Sequence, residues 1–504
     1  MHTNYLLCDS FHMVMSPYVR TVKTPNGKKA VQVVWETHYG KRKMTQIGTS
    51  SSEKELELLL AKAKQTILQG QQELLLDSDV SLPTTLPIQS CQMTHLLDAL
   101  CFVYKKLGFE KVSAADEVFR SLVFARIIEP TSKLDSLRVM NEVGIQSPSY
   151  ATLKRRLPIY ADLDFRNSLS SCCACHAALD AEALLLFDVT TLYYECHEED
   201  DFRKSGYSKE RRLEPQILVA LLTDRNGFPL MVNAFEGNRA ETKTILPVLE
   251  AYRATHKPKK LTVVADAGML SYGNLKAIEA AGFSFVVGLK IPDIPQVLLS
   301  FYKDYPTVIP DENMILTGAH EGKGKAWVDI YQYRSSRARR TLKGIDEQIE
   351  KANRQVRGEI PIKRNRFVSL DGKAHINQDL ITKTRKLAGW KGYVTNLDEP
   401  AEFVIGAYHS LFQIEKSFRM SKHDLKARPV YARKLDSIEA HLSIVFVALA
   451  LARFIEARTG WSIKKFVRTL RTYRTIEVKV KEQTIKAADP LPEDVRQMLL
   501  DLYR

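Results

Sequence analysis

LLLFDVT at 184–190 and LTVVADAG at 261–268 decide how this chain folds. In each, a run of apolar and β-branched residues ends in a single aspartate, Asp188 and Asp266. That is the pattern of a buried strand carrying one carboxylate at its end. A carboxylate there is costly to desolvate unless opposite charge offsets it, and a divalent cation does that well. A third stretch, YHSLFQIEKSFRMSK at 408–422, reads as a helix in which Tyr408, Glu415 and Lys422 follow one another at seven-residue steps. Seven residues is nearly two helical turns, so the three side chains are expected on one face. Two strand-end aspartates and one helix-face glutamate on a basic chain point to phosphoryl transfer on DNA.

Working outward, 182–194 is a long strand, and 215–223 and 228–235 form two more around the hairpin turn Asp224-Arg225-Asn226-Gly227. Asn238-Arg239-Ala240-Glu241 resembles a capping box for a helix through about Arg253. Strand 261–265, helix 271–280 and strand 283–289 follow. The order βββαβαβ is that of a ribonuclease-H-like mixed sheet flanked by helices, an α/β fold in which the first and fourth strands are neighbours. Asp188 and Asp266, distant in sequence, are therefore expected to meet. Residues 181–290 and 390–458 compose this catalytic core, and 291–389 reads as an inserted basic subdomain. The core resumes with a strand at 394–396 and the 408–422 helix. Trp390, near that return, is read as a core residue in preference to one that packs on DNA.

The chain has 504 residues, too many for one ordinary core, and its 45% hydrophobic and 26% charged composition is that of a folded protein. The net charge of +14 argues for a polyanionic partner, most simply nucleic acid. The start lacks the pattern of a signal peptide, and the apolar stretch 441–454 is too short to span a bilayer. It reads as a buried helix, so no membrane partner is expected. Seven cysteines suggest reduced thiols and a cytoplasmic protein, nucleoid-associated when bound to DNA.

Residues 1–76 hold a small basic antiparallel sheet, turned at Pro25-Asn26-Gly27, and a helix over 53–68. A basic β-ribbon of this size suits a DNA groove, and a solvated sheet explains it equally. Residues 77–92 read as a linker, and 93–180 as a helical block. Within it, a glycine turn over 142–147 separates two helices, the second starting at Pro148 and bearing Lys154, Arg155 and Arg156. Helix-turn-helix DNA binding and a plain helical hairpin with a basic face both fit. The basic segment 334–366 reads as a DNA clamp in preference to a solvated helix. Residues 459–504 read as a basic tail ending in a short helix. Cys172, Cys173, Cys175 and His176, with Cys196 and His197, lack clean zinc spacing and read as buried thiols.

In-line attack on a phosphodiester builds negative charge on the attacking and leaving oxygens. Two divalent ions roughly 3.5–4 Å apart stabilise both. Mg²⁺, or Mn²⁺ in its place, prefers oxygen ligands and keeps several waters, so three carboxylates suffice. Asp188 is assigned to bridge two ions, Asp266 to hold one and Glu415 the other.

These motifs resemble those of DDE insertion-sequence transposases with a ribonuclease-H-like core, in the group marked by a Tyr-x2-Arg-x3-Glu-x6-Lys signature. The chain matches Tyr408, Glu415 and Lys422, with Leu411 in the arginine slot. The resemblance extends through LFDVTTLYYE (186–195), EGNRAE (236–241), VADAGM (264–269) and IEKSFRMSKHDLKARPVY (414–431). It implies cleavage at the ends of a DNA element by water, then attack of the freed 3′-hydroxyl on target DNA, by a homodimer or higher multimer on paired terminal inverted repeats. It further implies that Asp188, Asp266 and Glu415 are catalytic, and that Tyr408 and Lys422 contact terminal DNA, with Lys426 and Arg428 beside them. By helix geometry alone Arg419, one turn after Glu415, is a candidate for the guanidinium missing at Leu411, and a solvent salt bridge is its more ordinary role. The competing readings are a catalytically altered relative acting as a DNA-binding regulator, and a metal-dependent nuclease without strand transfer.

Overall fold

The computed structural model describes residues 17–38, 41–70, 88–177, 182–195, 198–206, 214–258, 260–269, 271–306, 308–320, 327–361, 363–370, 374–428, 430, 432, 434–480 and 483–504. The chain divides into two units, Met1–Leu86 and Pro87–Arg504.

The first unit is an antiparallel sheet of β1 (Tyr18–Lys23), β2 (Lys29–His38) and β3 (Lys41–Ser50), packed against α1 (Glu53–Gly70). Gly27, at φ +77°, supplies the left-handed turn that reverses the chain between β1 and β2. Period-two alternation puts Val31 and Val33 on one face of β2, where they are fully buried with Ala63 of α1. Lys23, Lys28, Lys29 and Lys43 stay exposed.

The second unit opens with β4 (Ile88–Gln92). These residues fall in the stretch expected as a linker, but they pair with Thr475–Val478; the remainder of that stretch, 77–87, lies outside the described residues. Helices α2 (Thr94–Lys106), α3 (Phe109–Val112), α4 (Glu117–Ile128), α5 (Ser136–Val143), α6 (Tyr150–Ala161) and α7 (Leu163–Ala177) follow. Gly144, at φ +91°, turns the chain after α5, and a Cβ there would lie 2.5 Å from Gln92. The Ser149 hydroxyl accepts from the Thr152 amide at 3.1 Å and caps α6. Pro148 therefore precedes the helix instead of occupying its first turn, and the helix continues through Pro158 to Ala161.

The large sheet is built from β5 (Glu182–Tyr193), β6 (Gln216–Thr223), β7 (Pro229–Glu236), β8 (Lys260–Ala265) and β9 (Ser284–Leu289), with α8 (Ile245–His256) and α9 (Tyr272–Ala280) between the later strands. The capping box expected at 238–241 does not form. A short 3-10 turn occupies Glu241–Lys243 and α8 starts only at Ile245, where the Thr244 hydroxyl donates back to the Glu241 carbonyl at 2.6 Å. Next come α10 (Gln296–Asp304), β10 (Ile315–Ala319), β11 (Val328–Tyr333), α11 (Ser335–Val356), β12 (Val368–Ser369), β13 (His375–Ile376), α12 (Gln378–Lys386) and β14 (Trp390–Thr395). The sheet order is β10-β11-β14-β9-β8-β5-β6-β7. β5, β8 and β9 run parallel, and the remaining pairings are antiparallel.

The inserted segment is thus not wholly separate. β10 and β11 extend the same sheet, whereas α11 and α12 bury Ile345, Ala352, Phe367 and Ile381 in a cluster of their own. Trp390 is buried, as its core reading requires.

The chain then passes through α13 (Ala401–His409), α14 (Leu411–Arg419), α15 (Leu435–Thr459), α16 (Ile463–Leu470), β15 (Thr475–Val480), β16 (Gln483–Ala488) and α17 (Glu493–Tyr503). α15 is apolar on nearly every side and buried along most of its length, packing on α2, α4, α6 and β7. It is long and apolar enough to cross a membrane, but 94% of its apolar window is buried within the protein, as a core helix would be. The expected C-terminal tail is instead part of this core. Ile463, Phe466, Val467 and Leu470 line one face of α16 and are buried, while Lys464, Lys465 and Arg468 take the other. The density of basic residues obscures that stripe in the sequence.

Candidate active site

β5 and β8 pair in parallel up to Leu186 opposite Val264. Asp188 and Asp266 each stand two residues further on, Asp188 midway along β5, which continues against β6 to Tyr193, and Asp266 just past the end of β8, so the same register brings them side by side. Both Leu186 and Val264 are fully buried, whereas Asp188 is partly exposed and Asp266 exposed. The apolar run thus anchors each strand; Asp266 emerges where β8 ends, and Asp188 is a partly exposed carboxylate within β5, followed by buried Val189 and Leu192. α14 packs over β5 and β6 and carries Glu415 on its exposed face.

The 408–422 segment is not one continuous helix. It breaks at Ser410, whose amide is shared between the carbonyls of Gly406 and Ala407, and it ends in a π turn at Met420–Asp424. This break separates Tyr408 from Glu415 and Lys422. The Tyr408 side chain is buried, 6% exposed, and its hydroxyl donates to Asp266 Oδ1 at 2.6 Å. Its ring meets Tyr393 edge-on at 5.0 Å. Gly288 on β9 makes room for it, because a Cβ there would lie 2.6 Å from the hydroxyl oxygen. Burial first, and then the bond to Asp266, push the phenol pKa upward, so Tyr408 remains a donor. Tyr408 is placed to aim Asp266, not to stack on a base.

Lys391 on β14 was not singled out in the sequence. Its ammonium lies 4.2 Å from the centre of the Tyr408 ring. Burial lowers its pKa, the charge of Arg337 lowers it further, and the Asp266 and Glu415 carboxylates oppose that shift. Both carboxylates therefore act on one half-buried cation. Arg334 and Arg337, the first arginines of the basic segment, also face this region and act on Lys391. Arg337 Nη1 donates to the carbonyls of Gln332 and Gly389 at 3.1 and 3.2 Å, and Arg334 Nε is buried without a hydrogen-bond partner among the described residues. Arg339, Arg340 and Lys343 point to solvent. The sequence signal for Lys391 was its place in a strand beside β9, which the glycine at 392 obscured by breaking the apolar pattern.

The other anticipated contacts spread over the surface. Arg419 and Lys426 are exposed; Lys422 lies 5.9 Å from the centre of the Phe418 ring, and Arg428 5.5 Å from that of Tyr193. Leu411 is buried, so this slot holds a packing residue. On α6, Lys154 lies over the Tyr150 ring at 4.5 Å, Arg155 donates to the Thr152 hydroxyl at 3.4 Å, and Arg156 pairs with Asp116 at 3.6 Å. They do not adjoin the carboxylates in any contact among the described residues. Cys173 is buried with its thiol pKa raised by burial, and the His176 ring packs on Phe228 and Phe454. Cys196 and His197 lie outside the described residues.

A family model for the transposase DDE domain matches residues 180–451. The chain belongs to the DDE transposase family. The matched span covers the large sheet, α13, α14 and most of α15, and so includes Asp188, Asp266 and Glu415. No curated protein matches the chain. A solved structure, piggyBac transposase in a synaptic complex with hairpin DNA, is similar at 12% identity and a TM-score of 0.35 over 75% of this chain and 70% of that one, a likeness too slight to bear weight.

Members of the family generally use divalent metal ions. The donor set here suits a hard ion, since all three side chains offer carboxylate oxygens at the edge of solvent. Among the described residues no three acidic, histidine or cysteine side chains already stand together at ligand distance. Tyr408 occupies one lone pair of Asp266 and leaves the others available for a metal.

Proposed function

We propose that this DDE-family protein is a DNA transposase that cleaves at the terminal inverted repeats of an insertion sequence and joins the freed 3′ ends to target DNA. The observation that carries the reading is the register of the parallel pair β5–β8, which sets Asp188 and Asp266 side by side two residues beyond Leu186 and Val264, with Glu415 on the helix that packs over β5. The strand order β7-β6-β5-β8-β9 supports a ribonuclease-H-like core.

On this reading Asp188, Asp266 and Glu415 would hold two Mg²⁺ or Mn²⁺ ions, whose charge would favour the attacking oxygen as nucleophile and stabilise the leaving one. The protein's own groups orient and neutralise. Tyr408 holds Asp266 in one rotamer, and Lys391 sets positive charge against the phosphate that must approach the carboxylates. Water attacks phosphorus, the bond to the 3′-oxygen breaks, and that oxygen leaves as a hydroxyl. In strand transfer the same 3′-hydroxyl is the nucleophile. The polyanionic substrate is matched by the chain's charge of +14, and Lys422, Arg419, Lys426 and Arg428, on and just after the helix that carries Glu415, are assigned as contacts to terminal DNA. Assembly as a dimer or higher multimer brings two ends together.

The test is incubation of a duplex carrying the sequence that flanks the gene, with Mg²⁺ and with chelator. Release of 3′ ends at the repeat boundary only with metal is the expected result. The burial of Leu411 where the family signature has arginine favours one second reading, a catalytically altered regulator. Tight binding without cleavage would decide for it.

Tyr408 is a positioning residue, and Tyr408→Phe isolates its hydroxyl. Cleavage should slow by about 10- to 100-fold, as for other groups that orient a metal ligand. The Mg²⁺ concentration for half-maximal rate should rise while the melting temperature changes little. An unchanged Mg²⁺ dependence would remove Tyr408 from the site.

A further inference from the structure

A second cationic site lies among the helices, and neither the family match nor the carboxylate chemistry uses it. Arg126, in the last turn of α4, is only 7% exposed. No ion pair or hydrogen bond of its guanidinium exists among the described residues. An unpaired buried guanidinium costs several kcal/mol, and a helix C-terminus offers only about half a negative charge against it. The group instead borders a cavity of about 460 Å³ walled by the loop after α4, by α6 and by the start of α15.

The same cavity is lined by Lys133, Lys154 and Lys434, with Ser132 and Thr131 offering hydroxyls. Lys133 Nζ has one hydrogen bond, to the Ser437 carbonyl at 3.2 Å, which leaves two of its donors for a ligand. Burial, aided by the charge of Arg126, pushes the Lys133 pKa down to about 8, and burial alone pushes Arg126 down to about 10. The Arg126 shift marks its burial, and the Lys133 shift marks burial beside the Arg126 charge. His441, also in the wall, donates to the Ala427 carbonyl at 3.0 Å and is kept neutral by burial and by those two charges. Asp436 is the one acidic residue of the lining, and it is exposed.

We propose that this cavity binds a phosphate group, supplied by a DNA backbone, with the Arg126 guanidinium as its floor and Lys133 and Lys154 at its sides. A phosphate accepts several charge-assisted hydrogen bonds at once and so satisfies a guanidinium and an ammonium together. Lys154 stands on the outer face of α6 beside exposed Arg155 and Arg156, which extends the cavity into a basic surface that a duplex can follow. The site is independent of the three carboxylates, and neither reading depends on the other.

The test uses the full chain as wild type, Arg126→Met and Lys133→Met. Its melting is followed in sodium phosphate and in sodium chloride of equal ionic strength, and its affinity for a DNA duplex is measured across a salt series without metal. Phosphate should raise the wild-type melting temperature above the chloride value. Arg126→Met should lose that gain while melting no lower than wild type in chloride, since it removes an unpaired buried charge. If the phosphate belongs to DNA, each variant should bind duplex about tenfold more weakly, with the slope of log K against log salt reduced by about one. Loss of the phosphate gain with duplex affinity unchanged would keep the site and make free phosphate its ligand. No phosphate-specific gain in the wild type together with unaltered duplex binding in both variants would overturn the proposal. So would a destabilised Arg126→Met beside a Lys133→Met that keeps every phosphate and duplex effect.

Discussion

Asp188→Asn should abolish cleavage of end-bearing duplex, by roughly 10³-fold or more, and leave duplex binding without metal nearly unchanged. The substitution keeps the shape of the side chain and removes one negative charge. Asp188 lies midway along β5 and is partly exposed, and Asn keeps its place in the strand, so little of the core depends on that charge. What is lost is the shared ligand of the proposed pair of ions, and the charge building on both reacting oxygens in the transition state goes unopposed. Rates measured in Mg²⁺ beside binding curves in chelator separate the two effects. A variant that cleaves at the wild-type rate would sink the assignment of Asp188. One that no longer binds would show that the carboxylate serves the surface and not the reaction.

The largest effect on stability is expected away from the site, at Arg166. This residue, on α7, is buried against α15. Its Nη2 lies 2.6 Å from Glu439 Oε2 and donates to the Glu439 carbonyl at 2.8 Å, and its Nε donates to the Ser443 hydroxyl at 3.2 Å. The contact with Oε2 is an ion pair whose angles fall short of a hydrogen bond, so its attraction is Coulombic. Arg166→Met removes one partner and leaves the Glu439 carboxylate 19% exposed with no counter-charge. A loss of about 3–5 kcal/mol is expected, read as a fall of several degrees in melting temperature. The double variant Arg166→Met, Glu439→Gln should melt above the single one, because the stranded charge is gone. Additive losses in the double variant would mean that the pair is not coupled.

These two residues differ in how far the sequence exposes them. Asp188 is legible because a strand's period and a carboxylate closing an apolar run are local facts, and the same holds for Asp266. Their meeting is legible too, since parallel neighbours in a βββαβαβ order bring the first and fourth strands together. Arg166 is a basic residue in a helical block, and nothing near it in sequence announces Glu439. Tyr408 lies between these cases. Its spacing from Glu415 pointed to a shared helix face, but the break at Ser410 turned its hydroxyl onto Asp266 instead. A helix break is a small local preference that packing against β8, β9 and β14 overrides, so periodicity alone could not find it.

The sequence by itself determined the α/β class, strands β5 to β9 of the large sheet and the basic character that suits DNA, because each is written in residues close together along the chain. Tertiary structure alone decided that residues 88–92 pair with Thr475–Val478, that Lys391 lies within the influence of two of the carboxylates, and that Arg126 faces a cavity without an ion-pair partner among the described residues. These are contacts between residues far apart in the chain. Their energies depend on burial and on the charges that packing brings near, which no window of sequence contains.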